Sequence, residues 1–261
     1  MNENKQDISK LVTIDYLSEV PIKTEFYFNE TCLALGTSFI YSSKQKLYLV
    51  STWHNYSGRD PITKQPLSSH GGIPNKIKCK LILNQQLLGW NSFFFDLIAN
   101  DGTNKWIEHP THGSKVDIAV LPIKLPSKFK SFPINKYSFD DMRVEIAQDV
   151  FILGFPLGIS GRKELPIWKK ASIASEPGGN FPVILVDTAT KKGMSGSPVI
   201  MLYRGVYIKE RGKMNPDDWM GEGRLFLGIY SGRVGEGEFE AQLGIVWKQK
   251  LIDEIICSIE T

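Results

Sequence analysis

The stretch KKGMSGSP, from Lys191 to Pro198, places a serine between two glycines, and a strand-like run, SPVIMLY, starts two residues after that serine. Glycines on both sides of Ser195 remove the Cβ atoms that would block access to its hydroxyl and to nearby backbone N–H groups. A nucleophilic serine needs such access. A tight turn between two strands has a similar composition, so the stretch by itself leaves both interpretations open.

The composition excludes several functional classes. The 261 residues include 31 Lys and Arg and 28 Asp and Glu, which gives a net charge of +3. This charge is too small and too dispersed for a nucleic-acid footprint. No apolar run is long enough to cross a membrane. The sequence therefore predicts no nucleic-acid partner and no membrane partner.

The cysteines and the N-terminus indicate a compartment. The three cysteines, Cys32, Cys79 and Cys257, are odd in number and widely spaced, which does not suggest a disulfide framework. The N-terminal MNENKQDISKLVTIDYL lacks a basic leader followed by an apolar run, so we expect no secretory signal peptide. Both observations favour a reducing, cytoplasmic location.

Short apolar and β-branched runs, punctuated by Gly, Pro, Asn and Ser, dominate the chain and predict strands. These runs are CLALGTSFIY, KLYLVST, KIKCKLIL, KVDIAVLPI, DVFILGFP, FPVILVDT, SPVIMLY, RLFLGIYS and AQLGIVW. Helical spacing becomes clear only in WKQKLIDEIICSI, where Leu251, Ile252, Ile255, Ile256 and Ile259 share one face. Many strands and one closing helix predict antiparallel barrels rather than alternating βαβ units.

A serine hydroxyl is a poor nucleophile unless a base takes its proton and a third group orients that base. His54 is the best base, because it follows the apolar run YLVST. The other histidines lie in polar segments: His70, His109 and His112. Asp117 begins the apolar run DIAVLPI, where an unpaired charge is costly. Alone, His54 would be an ordinary polar residue and Asp117 a turn cap; together with Ser195 they form a candidate triad.

Five segments, in this order, resemble the trypsin-like serine peptidases with the chymotrypsin double-barrel fold, over roughly residues 30 to 250. They are GTSFIY with YLVSTWH, VDIAVLPI, VFILGFP, GMSGSPV and LGIYSGR. The resemblance implies an all-β chain of two antiparallel six-stranded β-barrels with a C-terminal α-helix. It divides the chain into an N-terminal segment, 1–24, a first barrel, 25–130, a second barrel, 131–247, and the helix, 248–261.

The resemblance also implies roles for the candidate residues. Ser195 would attack the scissile carbonyl, His54 would transfer the proton and Asp117 would orient His54. The backbone N–H groups of Gly193 and Ser195 would form the oxyanion hole, because a residue without a Cβ most easily turns its N–H inward. Neither a metal ion nor a cofactor is expected.

The family's spacing places Ala189, six residues before the nucleophile, at the base of the primary specificity pocket. Without a carboxylate there, a buried Lys or Arg of the substrate would lack a partner, which costs several kcal/mol. We therefore expect small aliphatic or uncharged polar residues before the cleaved bond. The remaining substrate-binding candidates are Thr190, Lys192, Tyr230, Ser231, Gly232 and Arg233.

The bacterial branches of the family fit better than the digestive ones. VDTATKKGMSGSPV resembles the DegP-type peptidases in its Asp-Thr-Ala opening and the glutamyl endopeptidases in SGSPV and Thr190, although Tyr230 stands where the latter carry a pocket histidine. Met194 cannot form the ion pair that follows propeptide cleavage in digestive members. We therefore expect a regulatory partner or ligand acting through the insertion 204–223 or the C-terminal helix, or restraint by narrow specificity.

Two other functions stay open beside a serine endopeptidase that acts on protein or peptide substrates. The first is a catalytically silent module that uses the barrel to bind a peptide or partner, against which the retained triad residues speak. The second is a metal-dependent hydrolase, because His109 and His112 form a His-x-x-His pattern beside Glu108. Pro110 between the two histidines, and the lack of a predicted helix there, disfavour a metal site.

Overall fold

The computed structural model describes residues 13–84, 89–208, 215–216, 218–233 and 242–260. Within these ranges it contains thirteen strands and two α-helices, beside short 3-10 turns. The strands are β1 Ile22–Phe28, β2 Thr31–Ser43, β3 Lys46–Ser51, β4 Lys76–Ile82, β5 Trp90–Asp96, β6 Ile107–Glu108, β7 Ala119–Ile123, β8 Asp149–Gly154, β9 Ile167–Ile173, β10 Val183–Asp187, β11 Ser197–Tyr207, β12 Trp219–Arg233 and β13 Leu243–Lys248. The helices are α1 Trp53–Ser57 and α2 Gln249–Glu260. The predicted all-β chain with a C-terminal helix is confirmed.

The first seven strands form one antiparallel sheet in the order β5-β4-β1-β2-β3-β7-β6. Strand β1 alternates buried and half-buried residues, as expected for a strand with one face on a core. That core contains Phe26, Leu49 and Ile77, each fully buried. The sheet has seven strands rather than the expected six, because the two-residue β6 adds to its edge through the pair Ile107↔Val120.

The last six strands form a closed antiparallel barrel in the order β10-β13-β12-β11-β8-β9. Pairing of β9 with β10, through Ile173↔Val186, closes it. Val150, Val186 and Val246 fill the interior with fully buried side chains. The prediction of a second barrel with six strands is confirmed.

Helix α2 packs across both units. Its apolar face, Leu251, Ile252, Ile255 and Ile256, lies in a core shared with strands of the first sheet and of the barrel. Polar bonds fasten the helix to the first sheet, since Tyr48 Oη donates to Glu260 at 3.0 Å and Tyr41 Oη to Asp253 at 2.5 Å. The C-terminal helix therefore packs on the sheet, as its amphipathic pattern predicts, and its apolar face is buried within the chain and not open to a regulatory partner.

The predicted insertion 204–223 is largely a β-hairpin rather than a loop. Strands β11 and β12 continue past the barrel and stay paired from Arg204↔Glu222 to Tyr207↔Trp219. The rings of Tyr207 and Trp219 stack at 5.1 Å, which holds the two arms together. Residues 209–214 and 217 of the insertion lie outside the described ranges.

Candidate active site

His54 lies on the short helix α1, directly after strand β3. Thr52 is the N-cap of this helix, in extended conformation, and Gly58 ends it in the left-handed region with φ 62°. The Gly58 N–H bonds the carbonyl of His54 at 2.9 Å. His54 thus follows an apolar strand, as the sequence predicted, and the short helix α1 places its imidazole.

Asp117 contacts His54 through both carboxylate oxygens. His54 Nδ1 lies 2.7 Å from Asp117 Oδ2, and the His54 backbone N–H donates to Asp117 Oδ1 at 2.9 Å. Asp117 is 7% exposed and lies two residues before β7. Because the carboxylate accepts at Nδ1, the neutral ring carries its proton there and leaves Nε2 as an acceptor.

The charges around His54 raise its pKa above the ordinary histidine value. Burial acts in the opposite direction, because it disfavours the charged imidazolium. The negative charge of Asp117 and its hydrogen bond outweigh burial, and the charge of Asp60 adds to the rise in pKa. The imidazole therefore takes up a proton more readily than an ordinary histidine, which suits a general base.

The glycines around Ser195 are required by backbone geometry. Gly193 and Gly196 have φ of +95° and +90°, a region that residues with a side chain rarely adopt. A Cβ on Gly193 would lie 2.3 Å from the carbonyl oxygen of Phe155, and one on Gly196 would lie 1.9 Å from that of Thr37. The sequence pattern that frames Ser195 therefore reflects a tightly packed turn with an accessible hydroxyl.

Two backbone N–H groups beside Ser195 are open. The carbonyl of Lys192 accepts from Leu157 N–H at 2.6 Å, and a trans peptide then directs the N–H of Gly193 the opposite way. Among the described residues, neither Gly193 N–H nor Ser195 N–H donates to a protein acceptor. Two free donors on one turn can stabilise a developing oxyanion.

Thr37 and Asn55 hold the turn from the other unit, which sequence reasoning missed. Thr37 donates through its N–H to Ser195 O at 2.9 Å and through its hydroxyl to Gly193 O at 2.8 Å. Asn55 Nδ2 donates to Ser195 O and to Ser51 Oγ, both at 3.2 Å. The sequence offered only an asparagine next to the candidate base, and the residue that this asparagine contacts lies 140 residues away in sequence.

The hydroxyl of Ser195 bonds a backbone carbonyl rather than the imidazole in this arrangement. Ser195 Oγ donates to the carbonyl of Ser231 at 3.1 Å, and within the described part of the chain it has no hydrogen bond to His54 Nε2. His54 Nε2 instead lies 3.4 Å from Thr52 Oγ1. His54, Gly193 and Ser195 nevertheless line one cavity of about 520 Å³.

The predicted specificity residues divide into a buried and an exposed group. Thr190 and Tyr230 are 4% and 1% exposed, and their hydroxyls bond each other beside the barrel core. The exposed group is Ala189 and Lys192. The ring of Tyr230 thus lies in the barrel core, and its hydroxyl is bonded to the residue that follows Ala189.

The remaining predicted residues lie at the end of β12. Ser231 Oγ accepts from Trp247 Nε1 at 3.1 Å, and Gly232 has φ +150°. Arg233 ends the strand, and its side chain lies outside the described part. Strand β12 therefore presents Ser231 and Gly232 beside the triad candidates.

The first histidine of the His-x-x-His pattern makes structural hydrogen bonds. His109 Nε2 lies 2.8 Å from Glu254 on α2, and its Nδ1 accepts from the N–H groups of Thr111 and His112. Glu108 accepts from Trp53 Nε1 at 2.6 Å. Both ring nitrogens of His109 therefore have hydrogen-bond partners in the protein. The residues that the structure describes contain no group of three or more His, Cys, Asp or Glu side chains arranged to hold a metal ion.

No helix in the described ranges is long and apolar enough to span a membrane. A search of curated protein sequences found no match. Among solved structures, an HtrA-type protease, AlgW, determined with a tripeptide, is 14% identical with a TM-score of 0.53, over 93% of this chain and 60% of that one. A serine endoprotease from Yersinia pestis is 14% identical with a TM-score of 0.52, over 95% and 67%.

A thermostable serine protease from an extremophilic microorganism is 12% identical with a TM-score of 0.51, over 94% of this chain and 98% of that one. Identities this low show the shared fold alone. The family comparison is stronger evidence than these structures. The trypsin-like peptidase domain matches residues 36–207, from strand β2, before His54, to the end of strand β11, after Ser195. The chain therefore belongs to the trypsin-like peptidase domain family.

Proposed function

We propose that this chain is a serine endopeptidase that hydrolyses peptide bonds through His54, Asp117 and Ser195. The observation that carries the proposal is the pair of hydrogen bonds between Asp117 and His54, to Nδ1 at 2.7 Å and to the backbone N at 2.9 Å. His54 and Ser195 line the same cavity. A carboxylate that fixes both the ring and its tautomer is what a serine–histidine pair requires.

The chemistry follows from this geometry. Ser195 Oγ turns from the carbonyl of Ser231 toward His54 Nε2, gives up its proton and bonds to the scissile carbonyl carbon. The resulting oxyanion accepts from the N–H groups of Gly193 and Ser195. The C–N bond breaks as imidazolium returns the proton to the leaving amine, which leaves an acyl-enzyme. Water then gives a proton to His54 and bonds to the acyl carbon. The ester bond to Ser195 breaks as His54 returns the proton to Ser195 Oγ, and the acid is released.

Tyr230 and Thr190 support a preference for small, uncharged residues before the cleaved bond. Their mutually bonded hydroxyls lie buried where a deep pocket would extend, and Ala189 supplies no carboxylate. A Lys or Arg side chain would find no charge to pair with at this base. We therefore propose an enzyme without trypsin-like specificity.

The proposal also includes regulation of the activity by a partner or ligand, and a cytoplasmic location. The bond between Ser195 Oγ and the Ser231 carbonyl must break before proton transfer, so a partner or ligand that turns the hydroxyl would raise activity. Within the described part of the chain no cysteine forms a disulfide, and Cys32 and Cys257 are exposed, which supports a reducing, cytoplasmic setting. Narrow specificity is the alternative restraint.

The same Ser195–Ser231 bond favours one competing function, a silent module that binds peptides without cutting them. A serine-directed fluorophosphonate probe separates the two, with the labelled peptide mapped by mass spectrometry. We expect covalent label on Ser195 that is lost in His54→Ala. The matched control is His70→Ala, since His70 is exposed and lies on a loop. No label on a folded, monodisperse protein, alone or in lysate of its native host, would establish the silent module instead.

A further inference from the structure

We infer that this chain selects its substrates on the leaving-group side of the cleaved bond, by an apolar residue directly after it. The inference rests on the proposed function and deepens it. It concerns a cleft, here named the leaving-group cleft, that is formed by Leu33, Leu35, Leu67 and Pro74 next to Gly193 and Ser195.

His54 lines two cavities, and the other residues that line them indicate which half of a substrate each cavity would hold. The leaving-group cleft, about 520 Å³, contains Ser195 and Gly193. The second cavity, about 770 Å³, contains Ser231, Gly232 and Asp117. Ser231 and Gly232 lie near the end of β12, directly after Tyr230, which the resemblance places among the residues that bind the substrate before the cleaved bond. The cavity on the opposite side of His54 is therefore left for the half that departs as the amine.

The walls of the leaving-group cleft are apolar and held in place. Leu33 and Leu35 come from β2, while Leu67 and Pro74 come from the segment 58–74. Leu67 N–H bonds Gly58 O at 2.8 Å, at the end of α1. Pro74 packs so closely on Gly58 that an added Cβ would lie 2.3 Å from its Cδ. The helix that positions His54 therefore also positions one wall of the cleft.

Much of this apolar surface is open to solvent. Leu35 is 38% exposed and Leu67 is 56% exposed. Gly158 packs on Leu35, and its neighbours Leu157 and Ile159 are 57% and 54% exposed. The polar rim carries Asp60 and Lys192, one charge of each sign, and so does not favour a charged substrate residue. The chemistry of the cleft matches an aliphatic or aromatic side chain.

The acyl side offers less specific recognition close to Ser195. Neither of the two cavities that adjoin His54 is lined by Ala189, Thr190 or Tyr230. Tyr230 and Thr190 are buried in the barrel, and their hydroxyls are bonded to each other. The apolar contact next to Ser195 itself therefore comes from the leaving-group cleft, whereas Ile62, Ile245 and Trp247 line the other cavity, which Ser195 does not line. Apolar contact of this kind discriminates between side chains.

Acyl transfer tests the cleft directly. The full chain is given N-acetyl-alanine thiobenzyl ester, which acylates Ser195 and releases the thiol. Added leucine amide or glycine amide then competes with water: the amine nitrogen bonds to the acyl carbon, the ester bond to Ser195 breaks, and the amine proton returns to Ser195 through His54. The ratio of peptide product to acid product, measured by chromatography, reports occupancy of the cleft.

We expect leucine amide to capture the acyl group at least about tenfold more efficiently than glycine amide, as for one large apolar side chain in a fitting pocket. Leu35→Ser and Leu67→Ser should each reduce this ratio severalfold. Val206→Ser is the matched control, because Val206 is 48% exposed on the distant hairpin. The ratio is measured within one acyl-enzyme, so a partly unfolded variant does not distort it.

Two results would overturn the inference, and they are distinguishable. Normal ester hydrolysis with equal capture of leucine and glycine amides would remove the leaving-group preference and leave the peptidase intact. Ester hydrolysis no faster than in Ser195→Ala would remove the proposed function, and the inference with it.

Discussion

Ser195 is positioned by residues of the first sheet as much as by its own turn. The carbonyls of Gly193 and Ser195 both accept hydrogen bonds from Thr37, and Asn55 adds a second bond to Ser195 O. Asn55 directly follows His54 on α1. The candidate base and the candidate nucleophile are therefore connected by one buried amide, which limits how far they can separate.

The charge of Asp60 gives a pH prediction. The pKa of His54 is raised above 6.5, and Asp60 contributes to the rise. The neutral imidazole is the base, so activity falls as the pH drops through this raised pKa. In Asp60→Asn the imidazolium loses a stabilising charge, its pKa falls, and the acid limb of kcat/KM should move to lower pH.

The Asn side chain can keep the turn, because Asp60 Oδ1 accepts from Ile62 N–H and Thr63 N–H and an amide oxygen can do the same. Asp101→Asn is the control, since Asp101 also caps a turn but is exposed and does not act on His54. The pH dependence of the fluorophosphonate labelling rate checks the shift. An acid limb that stays in place, or moves to higher pH, would contradict the role of Asp60.

At the level of elements, α2 acts as a clamp between the two units. Its apolar face enters the shared core, and its polar residues bond Tyr41, Tyr48 and His109 of the first unit. His109 in turn bonds the turn that leads to Asp117. The amphipathic helix thus packs within the chain and helps to hold the candidate site.

Shortening a buried side chain of α2 should therefore destabilise the whole chain. Ile255 is fully buried, and Ile255→Ala should lower the free energy of unfolding by about 2–5 kcal/mol through lost apolar contact and a new cavity. Lys250→Ala, on the exposed side of the same helix, should change it by about 0.5 kcal/mol or less. Urea denaturation followed by tryptophan fluorescence measures both. Equal, small effects would mean that α2 contributes little to the fold.

In the whole molecule, the candidate site lies at the junction of the sheet and the barrel. Thr37, His54 and Asp117 come from the first unit and Ser195 and Ser231 from the second, and hydrogen bonds cross the junction at Thr37 and Asn55. Any relative movement of the two units would therefore change the site. The β11–β12 hairpin, by contrast, projects from the barrel alone.

Trimming that hairpin should leave the site unaffected. Ten residues of β12 separate Met220 from Tyr230, which is roughly 30 Å along an extended strand. Replacing residues 208–218 with a two-residue turn keeps the Tyr207–Trp219 stack and should leave the labelling rate of Ser195 within about twofold of the intact chain. A change of tenfold or more, with an unchanged unfolding temperature, would show that the insertion regulates the site as the sequence suggested.

The sequence by itself determined the features that depend on local pattern. Alternating apolar residues specified the strands, helical spacing specified α2, and the glycines around Ser195 specified a turn that only glycine can form. The order of five short segments also indicated the family and the three triad candidates. Each of these signals lies within a few residues, so it can be read without knowing the fold.

Tertiary structure alone decided the features that join distant parts of the chain. The bond from Asn55 to Ser195 spans 140 residues and that from Thr37 to Gly193 spans 156. The same holds for the seventh strand, the buried face of α2 and the apolar cleft, each of which is formed by segments far apart in sequence. A buried amide or an exposed leucine has no local signature of its partner, because the free energy of the contact depends on what packing brings against it.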